Sequence, residues 1–155
     1  CKISVSVLGL TFTAAAVAFL ASTQEAAAHC QIPCGIYDDT ARISRLKEDA
    51  ATIAKAIKNI ADLSGQHDAN AFNQATRWVS TKEHHASHII EVVAQYFLTQ
   101  KVKPVAPGDD GHDAYLTKLA DHHAVMVAAM KTKQSSDPAT VAALNKTIDT
   151  LAGHY

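Results

Sequence analysis

Residues 39–63 read DTARISRLKEDAATIAKAIKNIADL, and within them Ile43, Leu46, Ala50, Ile53, Ile57, Ile60 and Leu63 recur at steps of three and four. That spacing draws one apolar stripe along an α-helix, which Ser64-Gly65 ends. Working outward, Ala75, Trp78, Val79, Ala86, Ile89, Ile90, Val93 and Phe97 predict a second helix from about Ala69 to Thr99, before Pro104, Pro107, Gly108 and Gly111 break the chain. A third is expected from about Asp113 to Lys133, with Leu116, Leu119, His123, Met126, Val127 and Met130 on its inward face. The fourth begins at Asp137-Pro138, an N-cap acid followed by proline at the first helical position, and carries Val141, Leu144, Ile148 and Leu151. No strand pattern interrupts them, so the fold is expected to be all-α, an up-down four-helix bundle.

Upstream the character changes. Residues Ile3 to Ala21 are almost free of charge and rich in Val, Leu, Phe and Ala, with Lys2 in front and small residues at Ala26 and Ala28. A basic n-region, an apolar h-region and an A-x-A site make a secretory signal. Residues 1–28 are therefore expected to be removed, leaving one mature domain from His29 to Tyr155, exported to a periplasmic or extracellular space. A membrane span is the competing reading, since about 20 apolar residues can cross a bilayer; the polar run Ser22-Thr23-Gln24-Glu25 ahead of Ala26 and Ala28 favours processing. The chain opens on Cys1 rather than Met, so its true start is expected further upstream. Lys2 and Glu25 cancel, and the net charge of -1 survives the cut. Nothing in that balance calls for nucleic acid or an anionic membrane as partner.

Cleavage after Ala28 would make His29 an N-terminus at the head of the nine residues His29-Cys30-Gln31-Ile32-Pro33-Cys34-Gly35-Ile36-Tyr37. An α-amine, an imidazole, two thiols and a deprotonatable amide then crowd into one short segment, residues 29–37, ahead of the bundle at 38–155. The His29 amine and the Cys30 amide nitrogen close a five-membered chelate that the Cys30 sulfur extends, and this imposes a plane. Planar N/S coordination suits nickel(II) or copper(II) better than tetrahedral zinc. Cys34 can complete the plane if Gln31-Ile32-Pro33 folds back, with Pro33 fixing φ and Gly35 free to follow. The bland expectation for two cysteines in an exported chain is instead a Cys30–Cys34 disulfide.

The run from His29 to Tyr37 resembles the metal hook of the nickel superoxide dismutases, His-Cys-x-x-Pro-Cys-Gly-x-Tyr, and matches all six of its specified residues. More loosely, the resemblance covers the mature chain, because that family builds a four-helix bundle of about this length. It implies one nickel ion per subunit, held by His29 through amine and imidazole, by Cys30 through sulfur and amide, and by Cys34 through sulfur. It implies conversion of superoxide to oxygen and hydrogen peroxide, an antioxidant activity in which the metal alternates between nickel(II) and nickel(III). Strong thiolate and amide donors are what lower the nickel potential into range. Tyr37 takes the place of the family's phenol beside the vacant face. A homohexamer and a processing peptidase are implied as well, the signal peptidase serving here.

In the family an early glutamate, held by an arginine, orients the ligand imidazole. By resemblance Ser44 stands where that acid is expected and His85 where the arginine falls, with Glu48 a substitute one turn later. Arg42, Arg45 and Lys47 can draw a small anion to the hook or can form a solvated face. His84, His85, His88 and the pair His122-His123 raise a rival, a second metal site between helices. The Glu-x-x-His pairs of a di-iron bundle are missing, since Ala51, Ala86 and Ala94 follow Glu48, Glu83 and Glu91 at that spacing. His67, His112 and His154 carry no signature. The alternative class is an exported, non-catalytic bundle that binds metal through its histidines.

Overall fold

The computed structural model describes residues 37–155. Their helices are α1 (Asp39–Leu63), α2 (Ala69–Val92), α3 (His112–Gln134) and α4 (Pro138–Ala152), with α2 running directly into a π-helical segment, Val93–Lys101. No strand occurs among the described residues, and no helix there is long and apolar enough to cross a membrane. The expected boundaries therefore hold closely, apart from the π-helix.

Side-chain caps explain three of the four starts. Asp38 accepts from the Ala41 N–H at 2.8 Å, Asp68 from Asn70 and Ala71, and Asp137 from Ala139 beside Pro138. Each satisfies N–H groups that the first turn leaves without a helical partner. At α3 the entry is made by Gly111, whose φ of 88° lies in the left-handed region that glycine occupies without strain.

Packing places α1 against α2 and α4, and α3 against the same two, so the four helices enclose one core. Leu46, Ile53 and Ile57 of α1 meet there with Ile89, Val93 and Phe97, with Val125 and Ala129, and with Leu144, Ile148 and Leu151, all essentially removed from water. A fully buried Leu, Ile or Phe side chain contributes about 1.5–3 kcal/mol, so this shared interior dominates helix stability. The result is the expected up-down four-helix bundle.

The inward face of α3 is a correction. Its buried residues are His122, Val125, Ala128, Ala129 and Thr132, whereas His123 is exposed, Leu116 is 47% exposed and Met130 is 40% exposed. The helix is turned by one residue, about 100°, from the apolar reading. Its alanines and valines make more than one side apolar, so hydropathy leaves the orientation open. The two polar residues enter the core because they are satisfied there: His122 Nδ1 donates to Lys118 O at 2.6 Å and Thr132 Oγ1 to Ala129 O at 2.7 Å.

Two further features escape a hydropathy pattern. Lys82, in the middle of α2, is buried and donates from Nζ to the carbonyls of Thr132, Lys133 and Ser135 at 2.7, 2.7 and 3.3 Å, capping the end of α3. A Lys is buried this deeply only when its charge is met, and helix-terminal carbonyls meet it. In the π-helix, Val102 N–H bonds to Phe97 O at 2.9 Å, five residues back. That wider turn brings Val93, Tyr96, Phe97 and Gln100 all to the interior.

Candidate metal centre

His29, Cys30 and Cys34 lie outside the described residues. The described residues begin at Tyr37, the last of the nine residues 29–37. Tyr37 precedes α1 and is 39% exposed, and its ring meets the buried Tyr96 ring edge-on with centroids 6.0 Å apart. Such an edge-to-face pair directs the positive rim of one ring at the negative face of the other. Lys101 Nζ lies 4.6 Å from the Tyr37 ring centroid and the Arg42 guanidinium 5.1 Å from that of Tyr96, so a cation flanks each phenol ring.

Asp39, the first residue of α1, binds these parts together. The Tyr96 hydroxyl donates to Asp39 Oδ1 at 2.6 Å, and the Lys101 ammonium pairs with Oδ2 at 2.9 Å. Burial alone would raise the Asp39 pKa, but the bonds from Tyr96 and Lys101 and the charge of Lys101 outweigh it and hold the carboxyl below its ordinary value. Tyr96 is pushed up to about 12, by burial first and then by its bond to Asp39 and the charge there. Tyr96 thus stays a neutral donor and Asp39 a carboxylate at any physiological pH. The π-helix supplies both Tyr96 and Lys101, so its widened turn is what presents them to the start of α1.

The other basic residues near the hook do different things. Arg45 pairs with Glu48 at 3.4 Å on the surface, and Lys47 pairs with Asp149 of α4 at 2.8 Å. Only Arg42 of the three sits at the Tyr37 end, where its Nε is buried without a hydrogen-bond partner among the described residues. Ser44 is exposed, as is Glu48, while His85 donates its attention elsewhere: its Nδ1 lies 2.6 Å from Asp49 Oδ1. His88 Nδ1 lies 2.6 Å from the other oxygen of the same carboxylate, whose side chain is 2% exposed. Asp49 on α1 is therefore a buried acid shared by two imidazoles one helical turn apart on α2.

A second histidine cluster closes the bundle around Phe97. His122 Nε2 is 2.8 Å from the Tyr155 hydroxyl, and His154 Nε2 is 2.7 Å from Asp121 Oδ2. Burial lowers the His122 pKa, and Tyr155 is pushed up to about 12, chiefly by burial. His84 and His123 are exposed. The histidines weighed for a second metal are thus spread over separate hydrogen-bonded groups, and no three His, Cys, Asp or Glu side chains could hold a metal among the described residues.

Sequence reasoning named Tyr37 and did not name the residues packed and bonded around it, Asp39, Tyr96 and Lys101. The Tyr96–Asp39 bond spans 57 residues and depends on a π-turn, so no local pattern announces it. Asp49 was missed because it interrupts no stripe; it sits beside Ala50 on the inward side of α1. With this geometry in place, the comparisons are specific: the family of nickel-containing superoxide dismutases matches residues 24–155. No curated protein and no solved structure matches the chain.

Proposed function

The chain belongs to the nickel-containing superoxide dismutase family, and from that premise we propose that His29, Cys30 and Cys34 hold the nickel once the chain is cut after Ala28. The activity is oxidoreduction of superoxide to oxygen and hydrogen peroxide. When bound, nickel supplies the one-electron exchange, passing between its divalent and trivalent states. The donor set fits it: two thiolates, an amine and an amide nitrogen are strong planar donors, and the described bundle offers no competing group of metal ligands.

The chain's own residues supply the rest. Tyr37 is the last residue of the hook and is held on Tyr96, so the hook leaves the bundle from a ring whose own hydroxyl is fixed by Asp39. An aromatic platform fixed by a half-buried carboxylate is rigid support for a segment poor in apolar side chains. Arg42 and Lys101 place positive charge beside the Tyr37 and Tyr96 rings, which favours approach of a small anion. Lys101 is paired with Asp39, so Arg42 carries more of that attraction. Protons for peroxide come from water or from the Tyr37 hydroxyl beside the hook.

Export follows the same reading: a signal peptidase cutting at Ala28 would unmask the His29 amine, coupling secretion to activation. A homohexamer that packs hooks against neighbouring subunits would complete the support. The observation that carries the function is the family match over residues 24–155 together with a hook whose six specified positions are all filled. A non-catalytic bundle with a Cys30–Cys34 disulfide leaves that match unexplained. The test is mass spectrometry of the purified mature protein. A start at His29 with nickel bound and both cysteines reduced supports the assignment; a start elsewhere, or an oxidised cysteine pair, sinks it.

A further inference from the structure

Two phenols inside the bundle, Tyr96 and Tyr155, are each bonded to a base. Tyr96 donates to the Asp39 carboxylate at 2.6 Å. For the Tyr155 pair the direction follows from His122: its Nδ1 faces the Lys118 carbonyl at 2.6 Å, and a carbonyl only accepts, so the single ring proton of the neutral imidazole is on Nδ1. Nε2 is then bare, and the Tyr155 hydroxyl, 2.8 Å away, must donate to it. The rings connect as well. Tyr37 meets Tyr96 at 6.0 Å, Tyr96 meets Phe97 at 4.9 Å, and Phe97 meets Tyr155 at 4.6 Å between centroids. Both inner tyrosines touch Phe97 on these distances, so their ring centres are less than about 10 Å apart, within reach of a single electron-tunnelling step.

We propose that Tyr155 is a redox-active residue that forms a radical by giving its phenolic proton to His122, draining oxidising equivalents from the hook end through Tyr37 and Tyr96. This goes beyond dismutation and does not require nickel. Tyrosine is oxidised at an accessible potential only when its proton can leave at the same moment, and His122 is the base positioned to take it. The oxidant is a hydroxyl radical, formed in solution when hydrogen peroxide takes one electron from a free iron(II) ion and splits into the radical and hydroxide, leaving iron(III). The radical gains one electron and becomes hydroxide; Tyr155 loses that electron along the ring chain and its O–H bond breaks, the proton forming the second N–H of His122.

Burial weakens His122 as a base, yet an oxidised phenol is so strong an acid that it still yields the proton. Because the resulting imidazolium is disfavoured in the core, the proton returns when a thiol or ascorbate-type donor re-reduces the ring. The beneficiaries are Cys30 and Cys34, whose thiolates are the groups such radicals attack first.

The test uses the full mature chain without metal, oxidised by photogenerated tris-bipyridine ruthenium(III) and frozen for electron paramagnetic resonance. A long-lived tyrosyl signal is expected, lost in Y155F and retained in Y115F, whose ring lies against His112 away from this chain. H122F removes the base, so the signal should fail to form; H122Q serves the same purpose where the apolar ring disturbs folding, checked by circular dichroism, and an undiminished signal in a folded His122 variant also overturns the proposal. In the nickel-loaded enzyme under peroxide, mass spectrometry should find Cys30 and Cys34 sulfinylated about threefold faster in Y155F than in wild type. Retention of the signal in Y155F, its equal loss in Y115F, or unchanged cysteine oxidation overturns the proposal.

Discussion

Replacing Asp49 is the sharpest test of how α1 and α2 are joined. Its carboxylate is 2% exposed and each oxygen lies 2.6 Å from an imidazole Nδ1, of His85 and of His88. A hydrogen bond to a charged group contributes about 1.5–3 kcal/mol, which sets a gross loss of about 3–6 kcal/mol for D49A. Two effects reduce it. Removing the acid also removes its own desolvation penalty, of several kcal/mol in effect. The side chains of His85 and His88 are 26% and 33% exposed, so both rings can regain water. The net expectation for D49A is about 2–3 kcal/mol, or a fall of about 6–10 °C in Tm for a domain of this size. D49N keeps the shape and one accepting oxygen while the second imidazole changes tautomer to accept from the amide, so about 1 kcal/mol is expected. Urea unfolding followed by circular dichroism gives both values from the midpoints at constant m. If D49A unfolds within about 0.5 kcal/mol of wild type, or D49N is the worse variant, the shared-acid account is wrong.

K82M, which keeps the apolar stem and deletes the ammonium over the end of α3, should cost about 3 kcal/mol, read from the same urea curves. Acid should weaken the fold through His122: burial depresses its folded pKa, so below the unfolded value of about 6.5 the unfolded chain binds the extra proton and stability falls by up to about 1.4 kcal/mol per pH unit until the folded pKa is reached. H122F should flatten that slope between pH 7.5 and 5, and an unchanged slope would refute the assignment. At the alkaline end, Tyr96 and Tyr155, both raised to about 12, stay neutral after the unfolded phenols ionise near 10. By pH 11 stability should drop by about 1 kcal/mol for each, and Y96F should lose its share of the drop. C30S and C34S should each abolish superoxide dismutation and nickel binding while leaving the helix content intact, as measured by a superoxide assay, metal analysis and circular dichroism.

The bundle was legible wherever one chemistry marked one face. Ile43, Leu46, Ile53 and Ile57, and Val141, Leu144, Ile148 and Leu151, are apolar against polar neighbours, and all eight are buried. The start of α4 was legible because Asp137-Pro138 states its cap in two residues. It failed on α3, where alanine and valine surround the helix and the residues that settle its rotation, His122 and Thr132, are polar. Hydropathy assigns those to water; their internal hydrogen bonds to Lys118 and Ala129 carbonyls remove the penalty and let packing decide. The π-turn was hidden for a related reason: its backbone bonds differ from those of α-helix by one residue in register, and its sequence, from Val93 to Lys101, keeps ordinary helix formers.

For the metal centre, legibility tracks separation along the chain. The proposed donors His29, Cys30 and Cys34 fall within six consecutive residues, so one short motif is enough to suggest them. Their support does not. Asp39 comes two residues after Tyr37, but its partners Tyr96 and Lys101 are brought back by a second helix with a widened final section. The same carboxylate has two demands on it, an ion pair and a phenol bond, and satisfies each with a different oxygen. This is why Lys101 cannot simply be exchanged for a neutral residue: after the Tyr96 bond, the bond and the charge of Lys101 are what offset the burial of Asp39, so without them its pKa would rise and the phenol bond beneath Tyr37 would weaken with it. K101M should therefore loosen the Tyr37 ring on its platform, seen as faster fluorescence depolarisation of tyrosine than in wild type at the same pH, and unchanged depolarisation would show that Lys101 does not hold the ring through Asp39.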